Sequence, residues 1–354
     1  SDRGAEAIMK FAAGYQTPRN GERFSDVIAD YAPDIDEVYF SWPGLASGRP
    51  DTGSSDWGAQ QRLERELSAL GRAGVKADLL FNGNCYGEDA VSEALQARVL
   101  GLLEYLGLNG CFPQIVTTAS PFIAHVIRTE YPSIELRASV NMRVGTLQAM
   151  EYLADTFDSF YLQRDYQRNL DYVRTVRSWC DRNGKKLCLL ANSGCLRFCP
   201  AQTFHDNLIA HSAGAEARRN PDWNPHLCRS VAQKPSGAVS ILKSTWIRPE
   251  DLSHYEGLID IVKLATRQHS HPRMVFGAYT SGRFDGNLLE LLEPGFASQF
   301  FPQYIDNTAF PADWFEKSGR CLMGCTGCGY CEAVLSQVLR RYGEEPFSQG
   351  FPGI

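Results

Sequence analysis

Short β-branched or aromatic runs alternate with amphipathic stretches along most of this chain. Runs at residues 9–15, 37–42, 77–82, 114–118, 135–140, 159–163, 186–192 and 260–265 predict strands. Helical spacing between them predicts helices over residues 57–72, 89–106, 121–130, 147–156 and 169–183. In the first of these helices Leu63, Leu67 and Leu70 share one face, while Arg62, Glu64, Arg65 and Glu66 take the wet positions. Strand–helix alternation repeated about eight times predicts an α/β fold with a parallel sheet, most simply a (β/α)8 TIM-like barrel. A doubly wound open sheet is the alternative. No Gly-x-Gly-x-x-Gly follows the first strand, where a dinucleotide site on such a sheet would need it.

The periodicity breaks after Asn192. Residues 193–240 are rich in Pro, Asn, Arg and Cys and show no sustained pattern. Loops of this length inside a barrel are usually functional or disordered, and the cysteines favour function. The barrel is expected over residues 9–283, with 193–240 as an inserted cysteine-containing loop after the seventh strand. A helix is expected at 272–282, then a Phe- and Pro-rich stretch at 294–315. Residues 284–354 read as a C-terminal cysteine-rich extension ending in a helix at 332–342.

Composition narrows the function classes. Hydrophobic residues make up 44% and charged residues 21% of 354, an ordinary globular mixture. The net charge of −6 argues against a broad nucleic-acid-binding face. No run is apolar enough to predict a membrane span, and the first residues carry no apolar signal-peptide core. Eleven cysteines, an odd and clustered set, suit metal ligation in a reducing cytoplasm better than disulfides. A cytoplasmic location is therefore expected.

Chemistry in a parallel barrel sits where the strands end. The ends here supply Asn82, Cys85, Asn141, Arg143, Arg164, Asp165, Asn192, Lys263 and Arg267, a polar, amide-rich and cationic set suited to a small anion. Cys195 and Cys199-Pro follow the seventh strand, and Cys228 returns from the far end of the same loop. Three thiolates suffice to hold a 4Fe–4S cluster, with Cys85, a tail thiol or substrate as the fourth ligand. Cys321, Cys325, Cys328 and Cys331 place four thiols inside eleven residues, a second candidate centre for iron–sulfur or, alternatively, zinc. The tail contains Cys-x3-Cys-x2-Cys, the spacing of radical S-adenosylmethionine enzymes. It follows the last strand rather than the first, which excludes that reading. His205 is a candidate acid–base or substrate-contacting group. Cys111, Cys180 and Cys188 sit in helical or strand patterns and read as core. No Ser–His–Asp order, His-Glu-x-x-His or phosphate loop is present.

Five segments together resemble peptidase family U-32, the collagenase-like group that includes anaerobic ubiquinone-hydroxylation and RNA-hydroxylation iron–sulfur proteins. Residues 136–144 (Leu-Arg-Ala-Ser-Val-Asn-Met-Arg-Val) resemble its Ser-x-Gln-x-Asn strand through Ser139 and Asn141. Tyr161-Leu-Gln-Arg164-Asp165 is similar to its Leu-Ser-Arg-Glu strand, with Asp in place of Glu. Leu190-Ala-Asn192-Ser-Gly-Cys195 falls where the family has His-Gly-x-x-Cys. Residues 247–252 match its Asn-x-x-Asp-Leu turn, and 262–267 resemble its Lys-Ile-Glu-Gly-Arg strand without the Glu and Gly. The resemblance covers about residues 9–283 and marks a divergent member, since its cysteine spacing differs and the tail is extra.

That resemblance implies a barrel with a cysteine-ligated 4Fe–4S cluster and oxygen-independent hydroxylation using an organic oxygen donor such as prephenate. The expectation is an iron–sulfur oxidoreductase acting on a small or RNA-borne aromatic or heterocyclic substrate, with an electron donor or partner subunit. Asp165, Arg164, His205 and Asn192 are the expected catalytic groups. Asn141, Arg143, Lys263, Arg267 and Asn82 are expected to bind substrate. Cys195, Cys199, Cys228 and Cys85 would hold one cluster, and Cys321, Cys325, Cys328 and Cys331 a second. Two alternatives stand beside it: sulfur transfer at a three-cysteine cluster, and a non-catalytic iron–sulfur subunit of a hydroxylase complex. A peptidase is not expected, because no nucleophile–base pair or hydrolytic metal motif is seen.

Overall fold

The computed structural model describes residues 9–18, 20–49, 56–212, 220, 222–321 and 323–343. Leu322 and residues 344–354 of the predicted extension lie outside that set, as do 213–219 and 221 of the predicted loop.

Eight parallel strands close into a barrel in chain order. They are β1 Lys10–Gly14, β2 Ile35–Phe40, β3 Lys76–Phe81, β4 Ile115–Thr118, β5 Glu135–Ala138, β6 Ser159–Tyr161, β7 Lys186–Leu190 and β8 Ile261–Lys263. Every predicted strand is present, and β8 pairs with β1 to complete the ring. The open-sheet alternative is thereby excluded.

Local chemistry starts the helices where the apolar stripes begin. The Asp56 carboxylate accepts from the Ala59 amide at 2.7 Å and caps Trp57–Arg72, which buries Leu63, Leu67 and Leu70 against the barrel. Ser120 caps Pro121–Glu130, with proline in its first turn. The helix expected from residue 89 begins instead at Glu93. Residues Gly87–Asp89 form a separate 3-10 turn, and Ser92 accepts from Leu95 at 3.0 Å to start the helix proper.

The barrel interior has two layers of different chemistry. Toward the strand beginnings, Arg137 is fully buried and donates to both Glu37 oxygens at 2.6 and 3.0 Å, to Glu135 at 2.7 Å and to Ser159 at 3.0 Å. Lys186 closes this network on Glu135 at 2.6 Å. Toward the strand ends, Ala12, Tyr39, Leu80, Val140, Tyr161, Cys188, Leu190 and Ile261 form an apolar layer. Cys188, Cys180 and Cys111 are buried, as expected for core thiols.

The long segment after β7 is more ordered than its sequence suggests. It contains short helices at Gln202–Ala210, Leu227–Ala232 and Val239–Leu242. Its two ends are tied together, since Thr245 donates its amide to Cys195 at 2.9 Å and its hydroxyl to Ser193 at 3.1 Å. Buried Gln167 and Arg168, just after β6, bind the carbonyls of Thr245, Ser244 and Trp246 and pin the returning chain.

The extension beyond residue 283 shares the barrel's hydrophobic core through Leu288, Phe296, Ile305, Trp314 and Val334. The helix expected at 332–342 spans Tyr330–Val338 and then turns into β10, Leu339–Arg341, which pairs antiparallel with β9, Gln303–Ile305. A short apolar run fits either period, and here cross-chain pairing decides the outcome. No helix among the described residues is long and apolar enough to cross a membrane.

Candidate functional site

Two adjoining chambers open at the C-terminal ends of the strands. The inner one holds about 60 Å³ and is lined by Tyr39, Asn82, Asn141, Arg164, Lys263 and Arg267, together with Arg49 and Glu293. The outer one holds about 230 Å³ and is lined by Cys195, Cys199, Cys228, His205, Asp206 and His226 among others. Arg49, Asn141, Arg164, Gln268 and Glu293 line both. A water needs roughly 10–15 Å³, so the inner space takes the head of a small ligand and the outer one a larger group.

Cations dominate the inner chamber. Arg164 is 7% exposed and donates to Ser193 at 3.1 Å, and nearby Cys195 favours its charged form. Arg267 donates to Ser47 at 2.9 Å, and Arg49 lies 3.7 Å from Glu293. Burial raises the Glu293 carboxyl against the pull of Arg49, Arg229 and Arg267. Asn82 accepts from Gly48 at 2.9 Å, and Asn141 donates to the Asn82 carbonyl at 3.1 Å, which aligns the two amides on one wall.

The three loop cysteines converge on the outer chamber. Burial pushes the Cys228 thiol up to about 11, with Cys195 and Cys199 adding to the effect. Burial likewise raises Cys199, although a backbone hydrogen bond and Arg164 oppose it. Thiols that oppose each other's ionisation in this way need a bound cation to be held as thiolates. Among the described residues no three His, Cys, Asp or Glu side chains stand close enough to hold a single metal ion. Cys195, Cys199 and Cys228 are the donors that a cysteine-ligated cluster would take in this chamber. Cys85 lines neither chamber, and its sulfur accepts from the Gly87 amide at 3.4 Å. Cys85, expected as a possible fourth ligand, thus stands outside both linings. No tail thiol lines the outer chamber either.

His205 also faces the outer chamber, its ring 4.9 Å from that of His226. Burial, with His226, Arg49 and Arg164 adding to it, pulls the His205 pKa down to about 4. Its Nε2 is buried without a hydrogen-bond partner. The imidazole is therefore neutral near pH 7. Burial raises the carboxyl of Asp206, one residue along the same helix.

Three further expected site residues make their contacts outside the two linings. Asn192 is fully buried and bridges β7 to the segments beyond: its amide donates to Ala265 at 3.2 Å and Leu291 at 2.9 Å, and its oxygen accepts from Ala265 at 2.6 Å. Asp165 accepts from Gln163 at 2.5 Å and from the Phe198 amide, fixing the turn between Cys195 and Cys199. Phe198 in that turn has a left-handed backbone, φ 51°. Arg143 donates to Thr203 at 3.2 Å on the rim. None of the three lines a chamber. Arg49, Asp206 and Glu293 were missed, because all three lie on loops or loop helices whose approach is set by tertiary packing.

The tail thiols form a separate group. Cys325 and Cys328 are exposed, Cys321 and Cys331 half-buried. Burial raises the Cys331 thiol to about 11, with Lys243 opposing and Cys321 adding to the effect. Lys243 reaches Glu332 at 3.1 Å across the helix that anchors this segment. The Arg197 guanidinium feels Cys321 and Cys331, and its Nε donates to Asp165 at 3.1 Å. Arg197 thus links the tail to the turn that carries Cys195.

No family model matches the chain. An uncharacterized protease of Methanocaldococcus jannaschii is 26% identical over 314 residues, 86% of this chain and 89% of that protein. The solved structure of the U32 peptidase Mk0906 superposes with a TM-score of 0.51 at 18% identity, covering 74% of this chain and 95% of that one. The resemblance to the U-32 group read from the sequence therefore holds, in the fold and across most of the chain.

Proposed function

We propose that the paired chambers form the active site of an iron–sulfur oxidoreductase for a small carboxylate-bearing substrate. One observation carries the reading: three thiols and four guanidinium groups line two chambers that share a wall. Cys195, Cys199 and Cys228 would hold a 4Fe–4S cluster. Such a cluster supplies one-electron chemistry and one iron that lacks a protein thiolate. Arg49, Arg164 and Arg267 bind the substrate carboxylate, since guanidinium forks match its geometry. Asn82 and Asn141 orient a neighbouring oxygen by hydrogen bonds. Neutral His205 accepts a hydrogen bond or proton from the substrate at Nε2. Cys321, Cys325, Cys328 and Cys331 would carry an auxiliary centre beside Arg197. Oxygen-independent hydroxylation is the reaction class this set suits, because the anion site holds an organic donor or acceptor.

Hydrolysis of peptides is the second reading. Its support is the protease name of the archaeal relative and the presence of thiols and imidazoles in one chamber.

The test is anaerobic purification with iron and sulfide counting, repeated on Cys195→Ala and Cys328→Ala. Each variant is expected to lose part of the iron. Iron-free wild-type protein that cleaves a peptide in a Cys195-dependent manner would replace the redox reading with the hydrolytic one.

A further inference from the structure

The inner chamber contains a reactive group that neither reading uses. Lys263 ends β8, is 7% exposed and lines the chamber. Its Nζ lies 3.7 Å from the centroid of the Tyr39 ring and 5.2 Å from that of Tyr161. Among the described residues this nitrogen has no hydrogen-bond partner, and no carboxylate oxygen lies within 4.0 Å of it. A buried lysine normally finds a carboxylate. Here Glu37 is fully engaged by Arg137, and Asp78 accepts from Thr117 at 2.8 Å deeper in the barrel. The groups facing the amine are Asp78 and Glu37 below, and Arg267 and Arg137. Arg49 and Arg164 line the same chamber.

We propose that Lys263 is a carbonyl-trapping amine, which condenses with a small 2-oxo acid whose carboxylate is held by the guanidinium groups of the inner chamber. The inference rests on the anion-binding part of the proposed function and is independent of iron. In the step, the Nζ lone pair attacks the carbonyl carbon and a C–N bond forms. The carbonyl oxygen takes up a proton, then leaves as water after a second proton transfer, while nitrogen loses its protons. One amine and one carbonyl give one imine and one water, so no oxidant or reductant enters. Three features support the assignment. Among the described residues the nitrogen has no hydrogen-bond or ion-pair partner, and Lys263 lines the chamber. The surrounding arginines favour a carboxylate next to it and disfavour a further cation. Burial, opposed by Asp78 and reinforced by Arg267 and Arg137, brings the amine's pKa down to about 8. The volume of about 60 Å³ limits the ligand to a few heavy atoms.

The experiment uses the full chain, both as purified anaerobically and as the iron-free protein. Pyruvate or glyoxylate is added with sodium cyanoborohydride, which reduces an imine to a stable amine, and peptides are mapped by mass spectrometry. Labelling of Lys263 is expected to be at least about ten-fold faster than that of exposed Lys234. It should rise between pH 6.5 and 9, be suppressed by excess lactate, and persist in Cys195→Ala. In Lys263→Arg the label should disappear while pyruvate still binds by calorimetry. Pyruvate that binds yet labels Lys263 no faster than Lys234 overturns the amine role and leaves the anion site standing. If neither pyruvate nor lactate binds, the anion site fails and this inference fails with it.

Discussion

Replacing Glu37 by Gln removes a charge from the centre of the barrel without removing volume. Arg137 is fully buried and takes both Glu37 oxygens at 2.6 and 3.0 Å. In the variant it keeps Glu135 and Ser159 but loses its bidentate partner. Removing one member of a buried ion pair costs about 3–5 kcal/mol, because the remaining charge stays desolvated. Native domains are stable by only about 5–15 kcal/mol, so the loss is a large share of the total. With a urea slope of roughly 3 kcal/mol per M, the unfolding midpoint should fall by about 1 M or more, read by circular dichroism and tryptophan fluorescence. A surface pair provides the control. Arg98 and Asp89 meet at 2.5 Å with side chains 51% and 47% exposed, and Arg98→Gln should cost at most about 1 kcal/mol. A double Glu37→Leu, Arg137→Leu variant should recover much of the loss, since it removes both charges. A Glu37→Gln midpoint within about 0.3 M of wild type, or a double variant less stable than either single one, would refute the reasoning.

Acid should weaken the same layer in a defined window. Burial disfavours the Glu135 carboxylate, but Arg137 and Lys186 together hold its pKa at about 2, below the ordinary 4.5. Its contribution to stability is then complete above about pH 4.5 and lost as pH falls toward 2. Urea midpoints at pH 5 and 2.5 should therefore drop more for wild type than for Glu135→Gln. Asn192→Ala strands a buried amide and two carbonyls, and should cost at least about 1–3 kcal/mol in thermal or urea unfolding. Its affinity for lactate should stay within two-fold of wild type, which a direct catalytic or binding role would not allow. Cys85→Ser should leave the iron content of anaerobically purified protein unchanged, whereas Cys199→Ala and Cys228→Ala should each lower it.

The barrel was legible because its strands are short, mostly buried runs separated by amphipathic helices. Helices 57–72 and 121–130 begin at Asp56 and Ser120, residues whose side chains cap locally, so sequence neighbours settle those boundaries. The helix expected at 332–342 failed in its second half, since only pairing with Gln303–Ile305 makes Leu339–Arg341 a strand. The site was half legible. Arg164, Lys263 and Arg267 follow from their positions at strand ends, where a barrel places polar side chains at its mouth. Asn192 and Asp165 meet the same criterion yet face the protein, because what their oxygens bind is decided by segments far along the chain. Glu293 reaches the mouth through an extension whose docking depends on a shared core, and no local pattern announces that.

Arg164 borders both chambers, donates to Ser193 and is electrostatically coupled to Cys195. Ligands occupying the two spaces would therefore be thermodynamically linked. A carboxylate that draws the guanidinium inward changes the environment of the thiols, and whatever the thiols hold changes the guanidinium offered to the carboxylate. Reciprocity makes the two effects equal: the factor by which an inner ligand alters affinity in the outer chamber is the factor by which the outer occupant alters affinity for that ligand.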